Sequence, residues 1–188
     1  MMNDNDILVA ILAGDLDEVR NHLKVKNPNY SIDNCPILNW IVLMGDQDLT
    51  TLALRLGADP NGCDLNGGTA LISAAYNGHL QIVSLLIKAG SNINTMDIDG
   101  QTALMAAAKG GHLEVVRLLF DSGANISQAD FQKRSALYWA LSEADNDKII
   151  SFLLSKGAPK NLISSDGLSA QKYATFLKRS RCIALLST

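Results

Sequence analysis

The chain is poor in the residues that build chemical sites. It has three cysteines, Cys35, Cys63 and Cys182, an odd number whose spacing fits no disulfide or zinc framework, so they read as reduced thiols. It has three histidines, His22, His79 and His112, and the sequence pairs none of them with a cysteine or serine. Aromatic residues make up 5%, so small aliphatic side chains must build the core. Lysine and arginine number 16 against 19 acidic residues, a net charge of −3. That balance argues against a general nucleic-acid binder, which needs a broad basic face to release phosphate counterions. The longest apolar run, 7–13, is too short to span a membrane. The first residues carry no basic n-region, and no secretory signal is expected. Glycine is plentiful at 14 copies, yet the segment 62–68 lacks the Lys-Ser/Thr ending of a phosphate loop. Asp97 and Asp99 resemble a calcium loop only superficially, because Asp64 and Asp130 recur at the Asp97 position, as turn residues do. No catalytic constellation, metal set or cofactor motif emerges.

What is present is periodicity. A shift of 33 residues lays Gly67-Gly68-Thr69-Ala70-Leu71 on Gly100-Gln101-Thr102-Ala103-Leu104. The same shift lays Gly78-His79-Leu80-Gln81-Ile82-Val83 on Gly111-His112-Leu113-Glu114-Val115-Val116. Such a period means stacked supersecondary units that bury their apolar faces against one another. Within one unit, Asp64-Leu65-Asn66-Gly67 has the chemistry of a hairpin tip, and Thr69 stands where a helix N-cap is wanted. Leu71, Ala74 and Ala75 share one face of a short first helix. Asn77-Gly78 permits a tight turn, after which Leu80, Val83, Leu86 and Ile87 form the stripe of a second helix. Gly90 falls where a helix-ending residue in the left-handed region is expected.

These motifs resemble the ankyrin repeat. The two central units match its pattern almost completely, and the resemblance covers nearly the whole chain. It implies an all-α fold, an α-solenoid of ankyrin repeats in which helix-turn-helix units carry β-hairpin fingers. The expected organisation is one domain, 1–188. It has an N-terminal capping repeat at 4–30, internal repeats at 31–63, 64–96, 97–129 and 130–163, and a C-terminal cap at 164–188. One residue is inserted in the fourth internal repeat, near 142–147. The cluster Lys178-Arg179-Ser180-Arg181 reads as the solvated face of a cap. The family's proline after threonine is replaced by Ala70, Ala103 and Ala136. Its histidine two residues later is replaced by Asn39, Ile72, Met105 and Tyr138, and somewhat weaker stacking is expected. His79 and His112, just after the inter-helix glycine, are expected to hydrogen-bond a neighbouring loop. Asn94, with Ile93 before it and Leu86 eight residues earlier, resembles the site that asparagine hydroxylases modify in such repeats. A plain asparagine leading into a hairpin is the preferred reading.

The second position of each finger is apolar in four successive repeats: Ile32, Leu65, Ile98 and Phe131. The resemblance places it on a fingertip facing the concave side. Two readings stand: a contact stripe for a partner, or side chains that pack on adjacent fingers. Met96 precedes a neighbouring tip, and Gln101 and Arg134 sit beside the fingertips. Tyr76, Asn77, Lys109, Ser142 and Glu143 are the exposed inner-helix candidates, whereas Tyr138 and Trp139 are assigned to the core. The expected function is non-catalytic binding of another protein through the concave groove and fingertips. The chain is expected to be monomeric alone and cytoplasmic, without nucleic-acid or membrane partners. The alternative is a regulatory or inhibitory subunit, or a host-directed effector, that masks a partner enzyme.

Overall fold

A computed structural model describes residues 4–25, 27–142 and 146–187, with side chains from residue 7 onward. Among them lie twelve helices in six antiparallel pairs. The first pair is α1 (Asp4–Ala13) and α2 (Leu16–Val25). A two-stranded hairpin, β1 (Ser31–Ile32) and β2 (Cys35–Pro36), leads into α3 (Ile37–Leu43) and α4 (Gln47–Arg55). Then come α5 (Ala70–Tyr76) with α6 (Leu80–Lys88), and α7 (Ala103–Lys109) with α8 (Leu113–Asp121). The last pairs are α9 (Ala136–Ser142) with α10 (Asp147–Ser155), and α11 (Ala170–Phe176) with α12 (Ser180–Ser187). The inner helices α3, α5, α7, α9 and α11 stack in one layer and the outer helices in a second. The protein is an all-α, helix-turn-helix repeat solenoid.

Local chemistry sets each unit. The Thr69 hydroxyl accepts from the Ile72 amide at 3.3 Å, and Thr102 and Ser169 cap α7 and α11 in the same way. The sharp turn into α6 needs φ +74° at Gly78. It also needs an empty side, because a Cβ there would run into the His112 ring of the next repeat. Packing repeats with the same step. Leu38, Leu71, Leu104 and Leu137 are all buried at 33-residue spacing, as are Leu86 and Leu119 beneath the outer helices. Each such leucine contributes about 1.5–3 kcal/mol relative to exposure. Between them, Ala74, Ala75, Ala107 and Ala108 let neighbouring helices approach closely.

Where the family's histidine is missing, other groups bond the layers. Asn39 Nδ2 donates to the Gly68 carbonyl at 2.9 Å, and the Tyr138 hydroxyl donates to Asp166 Oδ2 at 3.3 Å. An asparagine clamp recurs beside the fingers. Asn29 donates to the Gly57 carbonyl and accepts from the Asp59 amide. Asn61 bridges Gly90 and Asn92 in the same way, and Asn94 bridges Gly123 and Asn125. The reading of Asn94 as an ordinary hairpin asparagine thus acquires a structural role. The clamp stops at Ser127, opposite Pro159, which has no amide proton to give.

Candidate functional site

The fingers grow from a bracketing aspartate. Asp64 Oδ1 accepts from the amides of Asn66 and Gly68, at 2.8 Å each. Asp97 holds Asp99 and Gln101 likewise, and Asp130 holds Gln132 and Arg134. With the turn fixed, each fingertip stitches to the next through its backbone. The Ile98 amide donates to the Asn66 carbonyl, Phe131 to Asp99 and Ser165 to Gln132, at 2.8–3.0 Å. Leu65, Ile98 and Phe131 consequently stand in a row along one continuous edge, 75%, 57% and 64% exposed. Phe131 lies over Gly100, where a Cβ would come within 3.0 Å of its ring.

Ile32 does not belong to this edge, which corrects the expected four-residue stripe. It is 1% exposed, part of the core. Its hairpin pairs Ser31 with Pro36 and Ile32 with Cys35. The later fingers pair Cys63 with Thr69 and Ala129 with Ser135, so the first finger is out of phase by one residue. The cause is local: Ser31 replaces the bracketing aspartate, and Asp33 and Asn34 make a two-residue turn with φ +52° and +60°. A slip of one residue sends the side chain to the opposite face.

The inner helices add the floor. Tyr76 is exposed at the end of α5, and Leu43, one repeat earlier, is exposed too. Lys109 Nζ lies 5.8 Å from the Tyr76 ring centre and 4.6 Å from that of Trp139. Arg134 stands 4.3 Å over Trp139 while its Nε donates to Asp130 Oδ2 at 2.8 Å. The Trp139 indole donates to the same carboxylate oxygen at 3.1 Å. Trp139 is half-buried: it packs against the core to which the sequence assigned it, and it also joins Lys109 to Arg134 at this surface. The available signal was Trp40, which shares its phase with Ser73, Ala106 and Trp139. Tyr138 does go inside, stacked on Tyr173 at 4.3 Å between ring centres.

The other sequence candidates are less exposed to a partner or already engaged. Met96 is half-buried at the base of a finger, and Gln101 is half-buried beside Asp97. Asn77 bonds back to the Ser73 carbonyl at 2.9 Å, and the Ser142 hydroxyl to the Trp139 carbonyl at 2.7 Å. Glu143 lies outside the described residues.

His112 Nε2 sits 2.9 Å from the Tyr76 carbonyl, and the His79 ring backs onto Gly45, so both join repeats. Among the described residues no three His, Cys, Asp or Glu side chains are grouped to hold a metal ion. None of their helices is long and apolar enough to cross a membrane. Burial pushes the Cys35 thiol up to about 11 and raises Cys182 and Tyr138 above their ordinary ranges.

No match to the chain was found among curated proteins. The family model for ankyrin repeats (3 copies) matches residues 7–97, 38–130 and 89–164. Those matches span most of the sequence and all four fingers from Ser31 to Ser135, and the chain belongs to the ankyrin-repeat family.

Proposed function

We propose that the chain is a non-catalytic recognition module that binds another protein along the finger edge and the adjoining inner-helix floor. Ankyrin repeats are in general protein–protein interaction modules. The observation that carries the reading here is the row Leu65, Ile98 and Phe131, exposed at one repeated position and joined by backbone bonds. Large apolar groups held in water at regular spacing favour contact over solvation. The stack holds them in place before binding, so little ordering entropy opposes association. Phe131, Tyr76, Ile98 and Leu65 are the anchors, with Trp139 and its two cations extending the surface.

The test uses a displayed peptide library selected on the whole chain. Binders should lose about tenfold or more in affinity for Leu65→Ala/Ile98→Ala/Phe131→Ala, whose helical circular dichroism stays unchanged. Binders that keep full affinity for that variant would overturn the reading.

A further inference from the structure

The outer helices carry a second feature, remote from the fingers. A cleft of about 1060 Å³ runs along α10, walled by α8 on one side and α12 on the other. Its origin is a change of side-chain size. α8 presents Arg117 and Asp121 outward, whereas α10 presents Ser151 and Ser155 at the corresponding places. α12 follows with Ala184. Short side chains between longer ones leave a trough, floored by Phe152, Leu113 and Leu185.

The trough is cationic in an acidic molecule. Arg117, Lys148, Lys156 and Arg181 line it, against Asp121 and Asp147, while the whole chain has a net charge of −3. Aromatic rings contact two of these cations, and carboxylates meet the two arginines only loosely. Arg117 stands 4.8 Å from the Phe152 ring centre, and its nearest carboxylate, Glu114, is 3.8 Å away. Lys156 lies 5.4 Å from Phe120 and 5.7 Å from Phe152, with no carboxylate partner among the described residues. Arg181 reaches Asp147 only at 3.7 Å, and both side chains touch water. The two arginine pairs are long and solvent-exposed, so each neutralises its cation only weakly, and ring contacts hold Arg117 and Lys156 in place. An apolar floor between two lysines without a carboxylate partner among the described residues, Lys148 and Lys156, and two loosely paired arginines complements one kind of surface: apolar on one side, acidic along its flanks.

From this we infer that the α8–α10–α12 trough is a second binding site, for an acidic amphipathic helix of a partner protein. α10 has nine residues, a length of about 14 Å, so about three turns of ligand helix span the trough. Its leucines meet Phe152 and Leu185, and its glutamates meet Lys148, Lys156, Arg117 and Arg181.

The probe is a synthetic helix of about 14 residues, with leucines at i, i+3, i+4 and i+7 and glutamates elsewhere. Titrated into the whole chain, it should shift backbone amide NMR signals of α8, α10 and α12, while a lysine-for-glutamate control should not. Lys148→Glu/Lys156→Glu should weaken binding about tenfold. Ser151→Arg adds a positive charge but fills the trough, and should also weaken binding about tenfold, with unchanged circular dichroism. Tighter or equal binding to Ser151→Arg would overturn the inference, because charge alone would then explain the attraction. Shifts confined to the fingers would do the same. So would a preference for anionic lipid vesicles over the peptide, or self-association lost in Ser151→Arg. The Leu65→Ala/Ile98→Ala/Phe131→Ala variant should bind the probe normally, so this site and the finger edge fail separately.

Discussion

At the scale of single residues, Lys133 shows where the repeat departs from its own pattern. It occupies the fingertip step filled elsewhere by Gly67, Gly100 and Gly167, and it takes φ +59° with a side chain. The left-handed region costs a residue with a Cβ about 1–2 kcal/mol, and glycine's extra freedom when unfolded returns about 0.5–1 kcal/mol of that. Lys133→Gly should therefore stabilise the protein by about 0.5–1 kcal/mol, seen as a higher urea midpoint at constant slope. A lower midpoint would show that the lysine side chain contributes more than its backbone costs. The reverse change, Gly100→Lys, should destabilise, since its Cβ would press on the Phe131 amide at 2.8 Å. The residue scale is also where sequence reading fell short. The sequence assigns Trp139 to the core from its place on an inner helix. Only the geometry shows Lys109 and Arg134 against its ring.

At the scale of elements, helices and fingers differ in how legible they were. The helices follow from a threonine cap, an apolar stripe and a glycine stop, and the buried column Leu38, Leu71, Leu104 and Leu137 lies at the phase the repeat demands. The first finger was misread because register depends on turn type, which two substitutions decide. Ser31 lacks the aspartate bracket, and Asn34 enters the left-handed region beside Asp33. A period of 33 residues preserves position but not orientation. Between elements, the asparagine clamp was not foreseen, because its carbonyl and amide partners come from the following repeat. Asn94→Ala removes both of its inter-repeat bonds and should cost about 1–2 kcal/mol. Ser127→Asn should recover little, because Pro159 cannot donate to it. Urea unfolding of the two variants checks the contrast. An equal loss and gain would contradict the clamp.

At the scale of the whole molecule, the protein is a linear stack whose parts touch mainly their neighbours. That arrangement separates stability from recognition. Alanine and leucine fill the interior of the central repeats, and the fingertips remain free to carry large apolar groups in water. It also produces two unlike faces. The finger edge is apolar with cations bound to Trp139, and the outer helices hold a cationic trough. The first was partly legible because its residues recur at one period. The trough was not, because it arises where Ser151, Ser155 and Ala184 change side-chain size at places the repeat shares with Arg117 and Asp121, and a pattern of recurrence does not mark a change of size.

The most direct test of the central claim is hydrogen–deuterium exchange of the whole chain with and without a protein partner recovered on it. The predicted result is slowed exchange in the segments 64–69, 97–102 and 130–135 on binding, with the fingers protected together. Protection confined to the outer helices, with those three fingers exchanging as in the free chain, would contradict the claim that the finger edge is the recognition surface.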